Sequence, residues 1–105
     1  MQRVLVLETL PESGIEASAE FMAEHLGAVK SILDRPDTEA LAILLPPAPR
    51  DHDDWRRALA RDLARAYAPS RVNVVGGTGE AAEATLAYLA NAPGVTGQYC
   101  PCHEQ

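Results

Sequence analysis

Lysine is nearly missing from this chain of 105 residues, where Lys30 is the only one. Chemistry that needs a lysine ammonium therefore has a single candidate, and the residue four before it is Leu26. Basic residues number 9 against 15 acidic ones, for a formal charge of -6. That balance argues against nucleic acid as a partner, because such binding rests on clustered cations that release counterions from its phosphates. Aromatic residues make up 5% of the chain, so an aliphatic core is expected rather than one dominated by stacked rings. No apolar run approaches the length of a membrane-spanning helix. Met1 leads into a short apolar segment without a basic region or a cleavage-type site, which points to a cytoplasmic protein. The 2 cysteines, Cys100 and Cys102, flank one proline and form no disulfide framework. Reduced thiols in a reducing compartment are the simpler reading.

What is present suffices for one domain, residues 1–105, with a single hydrophobic core. There is no room for a cofactor domain and a separate substrate domain. Val4-Leu5-Val6-Leu7 reads as a parallel strand buried on both faces. Ser13 and Glu16 make a capping-box pattern. Ile15, Ala19, Met22, Leu26, Val29 and Leu33 then recur at spacings of four and three, predicting a long helix with an interruption at Gly27. A rival reading makes Ala28 to Leu33 a strand with Asp34 as a ribose ligand. Too few residues follow for a parallel crossover, so the helix is preferred.

Leu41 to Leu45 is the second strand, stopped by Pro46, Pro47 and Pro49. Asp51, Asp53 and Asp54 place negative charge at the start of a helix, with Trp55, Leu59, Leu63 and Ala66 or Tyr67 as its apolar face and Pro69 beyond its end. Val72 to Val75 is the third strand, Gly76 to Gly79 a turn, Glu80 to Asn91 the third helix with Leu86 and Leu89 inward, and Thr96 to Cys100 a last edge strand. Alternating strands and helices predict an α/β fold, a small Rossmann-like open parallel sheet of about four strands. The first strand is expected at its centre with helices on both faces.

Thr9-Leu10-Pro11-Glu12-Ser13-Gly14-Ile15-Glu16 and Arg71-Val72-Asn73-Val74-Val75 resemble landmarks of the short-chain dehydrogenase/reductase family. Arg57 to Val75 is similar to that family's late helix and strand, and Glu80 to Gln98 to its closing helix and the approach to its final strand. The resemblance implies the fold and an NAD(P)-binding ancestry. It also implies what is absent: the central portion with the catalytic serine and the Tyr-x-x-x-Lys pair has no counterpart. Tyr67-Ala68-Pro69-Ser70-Arg71 imitates that pair with arginine for lysine, but Pro69 breaks the helix that would align the two groups. In the first turn Thr9, Gly14 and Ile15 match the family's loop, while Leu10 and Glu16 stand where glycines belong, so that dinucleotide site looks disabled.

Three groups remain as site candidates. Gly76, Gly77, Thr78 and Gly79 lie between a strand and a helix, where backbone amides can cradle phosphate; such a glycine turn is more often backbone punctuation alone. Cys100, Cys102 and His103 are soft-metal ligands or redox thiols, or an incidental tail. Asp51-His52-Asp53-Asp54 reads as helix capping before metal or acid-base work. Glu12, Glu16, Glu20 and Glu24 form an acidic stripe on the first helix, and Arg57, Arg61 and Arg65 a basic one on the second. Opposite charges on separate helices invite pairing between helices or between subunits.

The leading expectation is a non-catalytic binding or oligomerisation module that forms a homodimer, with no resident cofactor and no catalytic residues. The alternatives are a binder of a nucleotide, NAD(P) or a phosphorylated metabolite at the glycine turn, and a metal or thiol function of the tail.

Overall fold

The computed structural model of the chain describes residues 1–102. Four parallel strands, β1 (Gln2–Val6), β2 (Ala40–Leu45), β3 (Arg71–Gly76) and β4 (Tyr99–Pro101), make one sheet in the order β1-β2-β3-β4. Arg3 is in register with Leu41, Leu41 with Val72, and Val74 with Tyr99. Between β1 and β2 the chain is helical from Gly14 to Leu33: α1 (Gly14–Glu20), a wide π-helical turn (Phe21–His25) and α2 (Leu26–Leu33). The helix reading of Ala28 to Leu33 is thereby settled. Helix α3 (Asp53–Tyr67) joins β2 to β3, and α4 (Gly79–Ala90) joins β3 to β4.

The first strand is not central, as the sequence suggested, but lies at the sheet edge. Each later strand adds on the same side, so nothing among the described residues pairs with the other edge of β1. Side chains alternate along a strand. Leu5 and Leu7 therefore join Leu41, Ile43, Leu45, Val72 and Val74 against α1, α2 and α3, which bury the main core. The opposite face carries Val4 and Val6. Helix α4 lies on that face, where the Leu86 carbonyl accepts from Gln2 and the Leu89 carbonyl from Arg71. It buries Ala82 and Leu89 but leaves Val4 43% and Val6 53% exposed. The apolar run at β1 thus looks like a doubly buried strand and is covered on one side only.

The wide turn also changes which residues of the first helix point inward. Ala17, Phe21, Val29 and Leu33 are buried, whereas Ile15 is 84% and Met22 47% exposed. Counting back from Leu33 in helical steps reaches Leu26 correctly. The π turn then adds one residue, so the next inward position is Phe21 and not Met22. Ser13 caps the helix as expected, accepting the Glu16 N–H at 3.1 Å. The core is mostly aliphatic, yet Phe21 and Trp55 meet at its end with ring centroids 5.9 Å apart.

Buried Asn73 secures the last strand. Its amide donates to the Val95 carbonyl and accepts from the Gln98 N–H, each at 3.0 Å, while Gly97 turns at φ 76° and donates to the Val72 carbonyl at 2.7 Å. A side chain that looked like one polar residue in an apolar strand is therefore the fastening for residues 95–98.

Candidate functional site

The crevice lies beyond the carboxyl ends of the strands. The turn Glu8–Glu12 after β1 and the prolines Pro46, Pro47 and Pro49 after β2 wall a hollow of about 650 Å³, which His52 and Arg56 also line. Crevices at this end of an open α/β sheet are where such folds bind ligands.

His52 builds the wall. It is buried, its Nε2 lies 2.6 Å from the Glu12 carbonyl oxygen, and its Nδ1 accepts from the Trp55 indole at 3.2 Å. A carbonyl can only accept, so Nε2 carries the hydrogen. Both ring nitrogens are thereby engaged in holding the first turn against α3. Neither a metal nor a proton relay is needed to account for this histidine.

Arg56 is the side chain that sequence reasoning missed. It is 0% exposed, the largest fully buried residue among those described. Its Nη1 donates to the Tyr99 hydroxyl at 3.1 Å, and its guanidinium carbon lies 5.5 Å from the Trp55 ring centre and 5.7 Å from that of Tyr99. The other two nitrogens, Nε and Nη2, are buried with no partner. The arginines of the basic stripe, Arg57, Arg61 and Arg65, are exposed, and residue type alone does not set Arg56 apart from them. The signal was nevertheless present, because positions 56, 59, 60 and 63 form the buried face of α3. An arginine in phase with Leu59, Ala60 and Leu63 is an arginine aimed inward.

The other nominated residues are distributed around this crevice. Thr9 lines it and is exposed. Gly14 opens α1, and a Cβ there would come within 2.9 Å of the Asp51 carbonyl oxygen. The turn thus packs on the start of the α3 segment. Leu10 packs against the core and Glu16 stands in the first turn of α1. These residues do not fit a dinucleotide pyrophosphate, which needs open backbone amides and no carboxylate beside it.

Gly76 and Gly77 are likewise occupied by protein. A Cβ on Gly76 would lie 2.5 Å from the Tyr99 hydroxyl oxygen and 2.8 Å from Arg56 Nη1, and one on Gly77, at φ 148°, would lie 2.8 Å from the Cβ of Cys102. Thr78 and Gly79 are exposed at the start of α4 and line a smaller hollow of about 370 Å³ with Val6, Leu44 and Pro46.

Cys100 and Cys102 are free, partly buried thiols. The sulfur of Cys102 lies 3.2 Å from the Thr85 hydroxyl, and burial together with the neighbouring Cys102 raises the Cys100 thiol above its ordinary value. His103 lies outside the described residues. Among the described residues no group of three or more metal-ligating side chains comes together. The two charged stripes do not pair with each other: Arg57 faces Asp53 and Asp54 at 3.7 and 3.8 Å, and Arg65 pairs with Asp62, all within α3.

A parallel sheet flanked by helices, with its crevice beyond the strand ends, defines a Rossmann-like α/β protein. The chain belongs to the SDR-like family, described as short chain dehydrogenase-like protein, whose model matches residues 5–102. Neither the curated proteins nor the solved structures yielded a match. No helix is long and apolar enough to cross a membrane among the described residues.

Proposed function

We propose that this chain is a non-catalytic binding module of the short chain dehydrogenase-like fold, working in the cytoplasm. The missing proton-transfer pair carries this reading. Lys30 is exposed on α2 with Leu26 one turn before it, and Tyr67 ends α3 just ahead of Pro69. No tyrosine is therefore placed one helical turn from a lysine. The crevice between the Glu8–Glu12 turn and the prolines after β2 is the place for a ligand. Of its two inward polar side chains, His52 holds the wall together and Arg56 keeps two donors unpaired, which suits recognition. Oxidation of NADH or NADPH by purified protein with a panel of aldehydes and ketones tests the reading. No turnover above the protein-free blank is expected, and turnover that scales with protein overturns it.

A second role for the same module is self-association through β1, favoured by the exposure of Val4 and Val6 beside an unpaired strand edge. A second copy pairing with that edge about a two-fold axis would extend the sheet and set the valines of the two copies side by side on one face. Nucleotide or phosphate binding at Thr78 and Gly79 is the competing role, and calorimetric titration with NAD and ATP separates it: the leading reading expects no saturable heat.

A further inference from the structure

We propose that the crevice takes a small monocarboxylate with an apolar body, its carboxylate held by the Nε and Nη2 edge of Arg56. This rests on the binding reading above and names its ligand class.

The argument begins with an uncompensated charge. Arg56 is 0% exposed, and no carboxylate lies within 4.0 Å of it among the described residues. An arginine keeps its charge in a protein, and a buried ion without a partner is among the costliest features a fold can carry. The flanking rings of Trp55 and Tyr99 and the single bond to the Tyr99 hydroxyl offset part of this.

What is left over has a definite shape. Nη1 is taken by Tyr99, while Nε and Nη2 have no partner. These two nitrogens share one edge of the guanidinium and present parallel N–H bonds, the geometry that matches the two oxygens of one oxyanion. Arg56 is among the residues that line the crevice, so its buried guanidinium stands behind the wall of that hollow and not within the aliphatic core. Binding requires the Glu8–Glu12 turn to give way and uncover the Nε and Nη2 edge.

The lining then selects among oxyanions. Glu8, Glu12 and Asp51 stand exposed around the crevice and oppose a second negative charge. A phosphate dianion is disfavoured by them more than a carboxylate is. Leu10, Pro11, Pro46 and Pro47 supply apolar wall for the rest of the molecule. A hollow of about 650 Å³ has room for several carbons beyond the acid group.

Trp55 is the only tryptophan and touches the guanidinium through its ring, so its fluorescence reports the site directly. The protein is titrated at low ionic strength with acetate, butyrate, hexanoate and inorganic phosphate. The expected result is a saturable change in Trp55 emission with the carboxylates, tightening up to about fourfold per added methylene. Arg56→Lys keeps the charge without the paired edge and is expected to weaken hexanoate binding about tenfold. Arg56→Met is expected to abolish the response and, in carboxylate-free buffer, to melt at a higher temperature than the parent.

Three results would overturn the proposal: no saturation with any carboxylate, saturation that survives Arg56→Met, or phosphate binding more tightly than hexanoate. If Arg56→Met fails to fold, Arg56→Lys and the chain-length series still decide. Carbonyl turnover with a nicotinamide cofactor would instead defeat the non-catalytic reading, so the two failures are separate.

Discussion

The Arg56 guanidinium donates from Nη1 to the Tyr99 hydroxyl at 3.1 Å, tying α3 to the last strand across 43 residues of sequence. That bond is the guanidinium's one hydrogen bond among the described residues. Tyr99→Phe keeps the ring and removes the acceptor, leaving the buried nitrogen unsatisfied. A loss of about 1–3 kcal/mol is expected in urea unfolding. An unchanged midpoint would show that water already serves the guanidinium.

Two glycines should respond to alanine with opposite signs. At Gly76 the new Cβ would meet the Tyr99 hydroxyl at 2.5 Å and Arg56 at 2.8 Å, both parts of one packed unit. Gly76→Ala is expected to cost about 1–3 kcal/mol. Gly27 lies in α2 with nothing within 4 Å of an added Cβ. There alanine gains helix propensity, and Gly27→Ala should stabilise by about 0.5–1 kcal/mol. Thermal unfolding of the pair reads both signs.

Self-association predicts a particular sensitivity at the sheet edge. Val6 is 53% exposed on β1, so lysine there is tolerated by the monomer and opposes pairing of two copies. Light scattering after gel filtration should find a dimer for the parent and a monomer for Val6→Lys, with unchanged circular dichroism. A monomeric parent at high concentration contradicts the dimer.

The pH dependence follows from Cys100. Burial, and secondarily Cys102, holds its thiol above the ordinary value. The folded state therefore keeps a proton that the unfolded chain releases. This contribution is complete below the unfolded thiol value and is lost as pH rises through the folded one. Stability should thus decline on the alkaline side, and Cys100→Ser should flatten that decline. Alkylation of Cys100 at mildly alkaline pH should be slower than that of an unstructured cysteine.

The sequence was legible where residues act through their local period. Leu41 to Leu45 and Val72 to Val75 announce strands, and the observed β2 and β3 extend each by one or two residues. Ser13 announces a helix start that the Glu16 N–H confirms. What could not be read depends on neighbours remote in sequence. The wide turn at Phe21–His25 shifts the inward face by one residue, and nothing in the apolar spacing marks it. The edge position of β1 depends on which side every later strand joins. Arg56 lies between these cases. Its phase with Leu59 and Leu63 was visible, but its missing counterion appears only when α3, β3 and β4 are assembled.

Deuterium transfer tests the central claim most directly. Purified protein is incubated with deuterated nicotinamide cofactor and a broad set of carbonyl compounds, and the products are read by mass spectrometry. A fold that retains its crevice without a tyrosine-lysine pair predicts no deuterated alcohol above the protein-free blank. Deuterium incorporation that rises with protein concentration and persists through successive purification steps would contradict it.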